Sequence, residues 1–189
     1  NGIAITLASP KGGRPPMDPS SAAENYQTKS TKRLTNDDIA QEQLSNTVKL
    51  ETINVDDYDA IYYPGGHGPL WDLAEDKTSI ALIEGFYNAN KTIAFVCHAP
   101  AVLKNTKKKD GTPLVKGLNV TGFTNSEETA SGLIKVVPFL VEDMLIKNGG
   151  IYSKGADWLA YAIKDGNIIT GQNPASAKLV AEKLLSQLK

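Results

Sequence analysis

Cysteine is nearly absent from this chain. Its 189 residues contain one, Cys97, so no internal disulfide can form, and the sequence fits a reducing, cytoplasmic compartment. Histidine is almost as scarce, with only His67 and His98. Two histidines and one cysteine lack the close ligand spacing of a zinc site, so no metal or other cofactor is expected. No apolar run approaches the roughly 18 residues that span a bilayer, and no signal peptide is visible. Neither sign of charge dominates, because the formal net charge is -1. The strongest basic cluster, Lys107-Lys108-Lys109, sits beside Asp110-Gly111 and reads as a solvated turn. A nucleic-acid partner would need a wider basic face. The Walker and Rossmann glycine spacings are also missing.

What is there is an ordinary folding composition. Hydrophobic residues make up 41% and charged residues 22%, which argues against disorder. The length suits one domain, and no shift of composition marks a second. Short β-branched runs at residues 2–8, 59–63 and 92–96 predict strands. Residues 79–90 place Ile80, Ile83, Phe86 and Tyr87 at helical spacing, which makes a strand–helix–strand unit. A short strand is predicted at 119–121, and a helix over 136–147 ended by Gly149-Gly150. A hairpin is predicted from 159–163 and 167–170 around Lys164-Asp165-Gly166. A final helix begins near Ala177 with Ser176 as its cap. The pattern is that of an α/β domain with a mostly parallel sheet covered on both faces. Residues 9–36, rich in proline and glycine and then polar, read as a long irregular connection of the kind that often lies over functional sites.

Three stretches carry candidate chemistry. The first is "FVCHAP", residues 95–100. A cysteine where a strand turns into a helix is aimed above the sheet edge, with helix N-terminal amides that favour its thiolate. The same residue would also serve as a small buried hydrophobe. His98 offers a general base or thiolate partner. The second stretch is residues 62–73, "YYPGGHGPLWDL", where Gly65 and Gly66 let the backbone approach a bound group and offer amides for an oxyanion. A plain structural turn is the alternative. His67 and Trp71 are candidate pocket residues there, and both histidine loops fall at the carboxyl edge of the sheet, where doubly wound folds bind ligands. The third is "TGFTNSEET", residues 121–129. Glu127 or Glu128 could orient the histidine as third member of a Cys-His-acid set. Asn125 and Glu128 also have capping-box spacing.

Taken in order, "LASPKGGRPPMDPSS", "DAIYYPGGHGPLWDL", "FVCHAP", "VTGFTNSEE", "PFLVEDMLIKNGG" and "DGNIITGQNPAS" resemble the signatures of the ThiJ/PfpI superfamily, in particular its glyoxalase III and chaperone-like branch. The resemblance implies a flavodoxin-like, class I glutamine-amidotransferase-like fold. It implies Cys97 as nucleophile, His98 beside it, Glu128 as the acid, and the amides of Gly66 and His98 as the oxyanion hole. The implied activity is conversion of methylglyoxal to D-lactate without glutathione or any cofactor, in a homodimer. Related members are also described as protein deglycases or holding chaperones, and a cysteine peptidase or amidase is a third reading. Residues 1–10 match the second strand of that family. The first strand, with a glutamate that moves protons beside the nucleophile, has no counterpart in the sequence, so a domain without its first strand and helix is expected.

Overall fold

The computed structural model describes residues 2–188, folded as two compact units divided between Asn54 and Val55. In the first unit β1 (Ala8–Ser9) is followed by α1 (Lys29–Thr35) and α2 (Asp38–Ser45), and β2 (Val48–Lys49) returns parallel to β1. The strand predicted over 2–8 is thus confined to its end. Its partner is only two residues long, Ile3 and Ile5 are exposed, and a strand forms only where a second backbone takes its hydrogen bonds. The segment expected to be irregular to Asn36 becomes helical at Lys29. There Thr28 and Thr31 each accept the other's amide and close a capping box.

The second unit holds the main sheet. β3 (Ala60–Tyr63), α3 (Lys77–Asn88) and β4 (Thr92–Val96) form a strand–helix–strand unit with the strands parallel. The chain continues through β5 (Asn119–Val120), α4 (Asn125–Ala130), α5 (Val141–Lys147), β6 (Ile151–Tyr152), β7 (Ala162–Asp165), β8 (Ile168–Gly171) and α6 (Ala177–Leu185). The sheet order is β3-β4-β8-β7, with β7 the antiparallel edge, while β5 and β6 pair separately.

Side chains of β4 alternate between faces. Ala94 and Val96 cluster with Ile169 of β8 and Val180 of α6. Phe95 points the other way and stacks on Tyr63 at 5.4 Å, and the Tyr63 hydroxyl meets Ser79 of α3. Helices α6 and α3 therefore cover opposite faces, the arrangement of a doubly wound α/β sheet. Gly171 is required for the close approach of α6, since a methyl group there would overlap Val180.

Several boundaries differ from expectation for local reasons. Helix α3 starts at Lys77, two residues early, because the Asp76 carboxylate accepts the Ser79 amide at 2.7 Å. Helix α5 starts at Val141 rather than 136. Pro138 disfavours helical backbone before it and offers no amide. Ser176 does not cap α6 with its side chain; its hydroxyl goes back to Asn173 Oδ1 at 3.0 Å. The first hairpin strand begins at Ala162, not 159, because the Leu159 carbonyl is held by the Asn173 side chain at 2.8 Å. Among the described residues, no helix is long and apolar enough to cross a membrane.

Candidate active site

The parallel strands β3, β4 and β8 end at one edge of the sheet, and each hands its next residues to the site. Cys97 follows β4 with φ 64°, a left-handed conformation that costs a residue with a side chain roughly 1–2 kcal/mol. Two hydrogen bonds hold it there. Its amide donates to the Gly171 carbonyl of β8 at 2.9 Å, and its carbonyl accepts the Phe123 amide at 3.0 Å. The bend turns the chain into a 3-10 segment, Ala99–Leu103, rather than an α-helix, so the helix dipole expected to favour the thiolate is only a short one.

The loop after β3 closes over the sulfur. A methyl group on Gly65 would stand 2.7 Å from Cys97 Cβ and 3.0 Å from the Val96 carbonyl oxygen, so no larger residue fits. Gly66 has φ 101° and open space around it, so its need for glycine is conformational. The backbone amides of Gly66 and His98 face the Cys97 sulfur and favour its charged form.

Beyond the sulfur runs a hydrogen-bonded relay. Cys97 Sγ is 3.3 Å from His98 Nδ1, and His98 Nε2 is 2.6 Å from Glu128 Oε2. The other carboxylate oxygen, Oε1, takes His67 Nε2 at 3.1 Å and the Ser131 hydroxyl at 3.1 Å. With Glu128 ionised, both histidine Nε2 atoms donate to it, and His98 Nδ1 is left free to accept the thiol proton. His98 lies between two rings, His67 at 3.9 Å and Phe123 at 4.1 Å between centroids, which fixes its orientation. Glu128 rather than Glu127 is therefore the acid beside His98.

Charge in this site follows burial. Desolvation pushes the Cys97 thiol up to about 12, despite the two amides that pull it the other way. Desolvation, then repulsion from His67, lowers His98 to about 4, although Glu128 counters both. Burial would raise Glu128 as well, but its hydrogen bonds and charge interactions with His98 and His67 outweigh that and leave it below its ordinary value. The resting pair is a thiol and a neutral imidazole. This departs from the expected low thiol pKa, and the reason is that Cys97 and His98 are buried while the dipole behind them is short.

His67, His98 and Glu128 have ligand atoms within 4.8 Å of one another. The hydrogen bonds above already account for those atoms. The two imidazole planes are tilted by 37° to one another. Trp71 stands apart. Its amide closes the turn Gly68–Leu70 by donating to the Gly68 carbonyl at 2.9 Å, and its side chain is exposed.

Glu127, the neighbour of Glu128, is fully buried and does something different. It completes the N-terminal capping box of α4 with Thr124, not the Asn125–Glu128 pair that the spacing suggested. Its Oε1 also accepts the Trp158 amide at 2.8 Å, Gln172 Nε2 at 3.1 Å and Asn173 Nδ2 at 2.8 Å.

The DJ-1/PfpI family model matches residues 1–187. The chain belongs to the DJ-1/PfpI family. Among curated members of that family, it is 36% identical over 143 residues to the glutathione-independent glyoxalase HSP31 of Saccharomyces cerevisiae, covering 72% of this chain and 60% of the relative. It is 31% identical over 149 residues to glyoxalase 3 of Candida albicans, covering 76% of this chain and 63% of the relative. The chain thus spans less than two thirds of the length of these relatives. Among solved structures, the Rapid Encystment Protein 24 KDa of Francisella tularensis superposes with a TM-score of 0.92 at 37% identity, covering all of this chain and 83% of that one. Glyoxalase III of Candida albicans superposes with a TM-score of 0.88 at 28% identity, covering 96% of this chain and 79% of that one. The flavodoxin-like α/β architecture of the DJ-1/PfpI family is therefore the fold of this chain.

Four residues that contact His98, Glu128 or Glu127 were not singled out from the sequence. Phe123 and Ser131 flank "TNSEET" without a charge or spacing signal. Gln172 and Asn173 are two adjacent amides at the end of an apolar strand, a position that hints at buried hydrogen bonding.

Proposed function

We infer that this protein converts 2-oxoaldehydes to 2-hydroxy acids without glutathione, methylglyoxal to D-lactate being the simplest case. The observation that carries the reading is the relay itself, a sulfur 3.3 Å from a buried imidazole whose far nitrogen is 2.6 Å from a carboxylate. The curated relatives named as glyoxalases agree with it. In this reading Cys97, His98 and Glu128 are catalytic, Gly65 and Gly66 shape the oxyanion site, and His67 steadies Glu128.

The chemistry starts from the neutral pair. Cys97 gives its proton to His98 Nδ1 as sulfur adds to the aldehyde carbon. The imidazolium that forms is balanced by Glu128. The amides of Gly66 and His98, already directed at sulfur, then face the alkoxide oxygen. His98 returns its proton to that oxygen, giving a hemithioacetal. Removal of the C1 proton forms an enediol, and protonation at C2 leaves a thioester on Cys97. Water hydrolyses the thioester to the 2-hydroxy acid and restores the thiol. Oxidation at C1 and reduction at C2 cancel within the substrate, so no external hydride or cofactor enters. Among the groups of the site described, His98 and His67 can carry the C1 proton to C2.

The test is D-lactate production from methylglyoxal in buffer free of glutathione. Turnover that disappears in Cys97→Ala supports the reading. A folded protein that makes no lactate refutes it, and peptide or amide hydrolysis and holding of unfolded clients would then be assayed on the same pair.

A further inference from the structure

Among the described residues, three that are not glycine have a positive φ: Asn90, Cys97 and Trp158. Asn90 lies just past the end of α3, where such a conformation is common, and Cys97 is the bend already described. Trp158 has neither explanation. Its φ is 63°, and strained backbone of this kind persists only where surrounding contacts over-determine it. Those contacts are present. The Trp158 amide donates to the buried Glu127 carboxylate, Gln172 holds the Gly155 amide at 2.9 Å, and Asn173 holds the Leu159 carbonyl at 2.8 Å. A fully buried carboxylate with neutral donors only is expensive, yet it serves this loop as well as α4.

What the loop presents is an indole. The Trp158 ring meets Phe123 edge-on at 5.8 Å, and Phe123 is in turn 4.1 Å from His98. The indole is therefore no more than about 10 Å from the imidazole, by those two centroid separations taken end to end. It remains 47% exposed, so part of a large ring is open next to Phe123, one ring away from the relay. Adjacent residues of α4 thus divide the work: Glu128 holds the imidazole, and Glu127 holds the aromatic wall.

We propose that Trp158 determines specificity, ranking 2-oxoaldehydes with flat, aromatic substituents above those with a methyl group or hydrogen. The indole stands next to Phe123, which packs on His98, so a phenyl substituent on an aldehyde bonded to Cys97 would extend further toward it than a methyl group. The proposal rests on the reading of Cys97 as the nucleophile toward such aldehydes. Its test is chosen so that the two can fail separately.

Cys97 is the sole thiol, so alkylation reports on it alone. Rates with phenacyl bromide and with bromoacetone, each divided by the rate of free N-acetylcysteine, give an aryl-over-methyl preference that needs no turnover. The expected preference is about tenfold, the scale of one aromatic ring contact. Trp158→Gly suits the φ of that position, so it removes the ring without loss of the fold, and it should bring the ratio to within about twofold of parity. Trp158→Phe should restore most of the preference. A wild-type ratio near parity, or a ratio unchanged in Trp158→Gly, overturns the proposal. Turnover of phenylglyoxal and methylglyoxal is measured beside it. Failure of both aldehydes to react would refute the enzymatic reading, while the alkylation ratio would still decide whether the indole faces Cys97.

Discussion

Glu128→Gln removes one charge from the relay and little volume. In the resting site His98 is neutral, and the carboxylate mainly fixes which nitrogen carries the proton. In the proposed reaction of Cys97, His98 would become an imidazolium at a position only 1% exposed, where water cannot stabilise it. A hydrogen bond to a charged group contributes about 1.5–3 kcal/mol, against about 1 for a neutral one. The difference, about 0.5–2 kcal/mol, corresponds to a slowing of about two- to thirtyfold. The carboxylate also repels the thiolate, but from the far side of the ring and as the weakest of the influences on Cys97, so the effect on the imidazolium should dominate. The carboxamide can keep its oxygen toward His98 and turn its amino group to His67, which is partly exposed and free to change tautomer, so the fold should survive. The assay is the second-order rate of iodoacetamide alkylation of Cys97 at pH 7, with unfolding measured in parallel. A Glu128→Gln rate equal to or above that of wild type, in a protein of unchanged stability, would refute the role given to the carboxylate.

Three further outcomes follow from the same geometry. Gly65→Ala should lose about 1–3 kcal/mol of stability, because its methyl group meets Cys97 Cβ and a backbone oxygen that cannot yield; an unchanged urea midpoint would contradict this. His67→Ala should slow Cys97 alkylation by about three- to tenfold, since Glu128 keeps Ser131 and His98 but loses one donor and a ring against His98; a larger loss than that of Glu128→Gln would show that His67 acts other than through Glu128. Acid should destabilise the fold through His98. Its folded pKa of about 4 lies below the unfolded value of 6.5, so the unfolded state takes up the proton first and stability falls as pH drops from 6.5 to 4. The loss is about 3 kcal/mol, and His98→Asn should flatten that part of the curve when urea midpoints are compared at pH 7 and pH 4.

How far the sequence reached depends on which forces were local. β4 runs over 92–96 as its apolar pattern predicted, and Cys97 stands at its end because a buried parallel strand is a continuous apolar run with a sharp stop. The start of α5 was misplaced because periodicity continues through Pro138 while the backbone cannot. Residues 2–7 have a strand composition, but a ladder needs a partner that composition does not supply. The choice between Glu127 and Glu128 was open for a related reason. Both suit the first turn of a helix, and only the position of that turn against β4 and β8 sends one carboxylate to His98 and the other to Trp158. Trp158 itself sits in a loop without periodicity, held by side chains distant in the chain: Glu127 binds its own amide, Gln172 the Gly155 amide and Asn173 the Leu159 carbonyl, over separations of 31, 17 and 14 residues. The protonation of Cys97 was misjudged because a dipole can be read from a strand–helix boundary, whereas desolvation is known only once the burial is.

The central claim is that Cys97 bonds to the aldehyde during turnover, and acid quench followed by intact-mass and peptide analysis tests it most directly. Within the first turnovers on methylglyoxal, a fraction of the protein should gain the mass of one substrate molecule. That mass should map to the peptide containing Cys97, disappear as lactate accumulates, and be absent from Cys97→Ala. Lactate formed at an undiminished rate by Cys97→Ala, with no adduct at any time, would contradict the account.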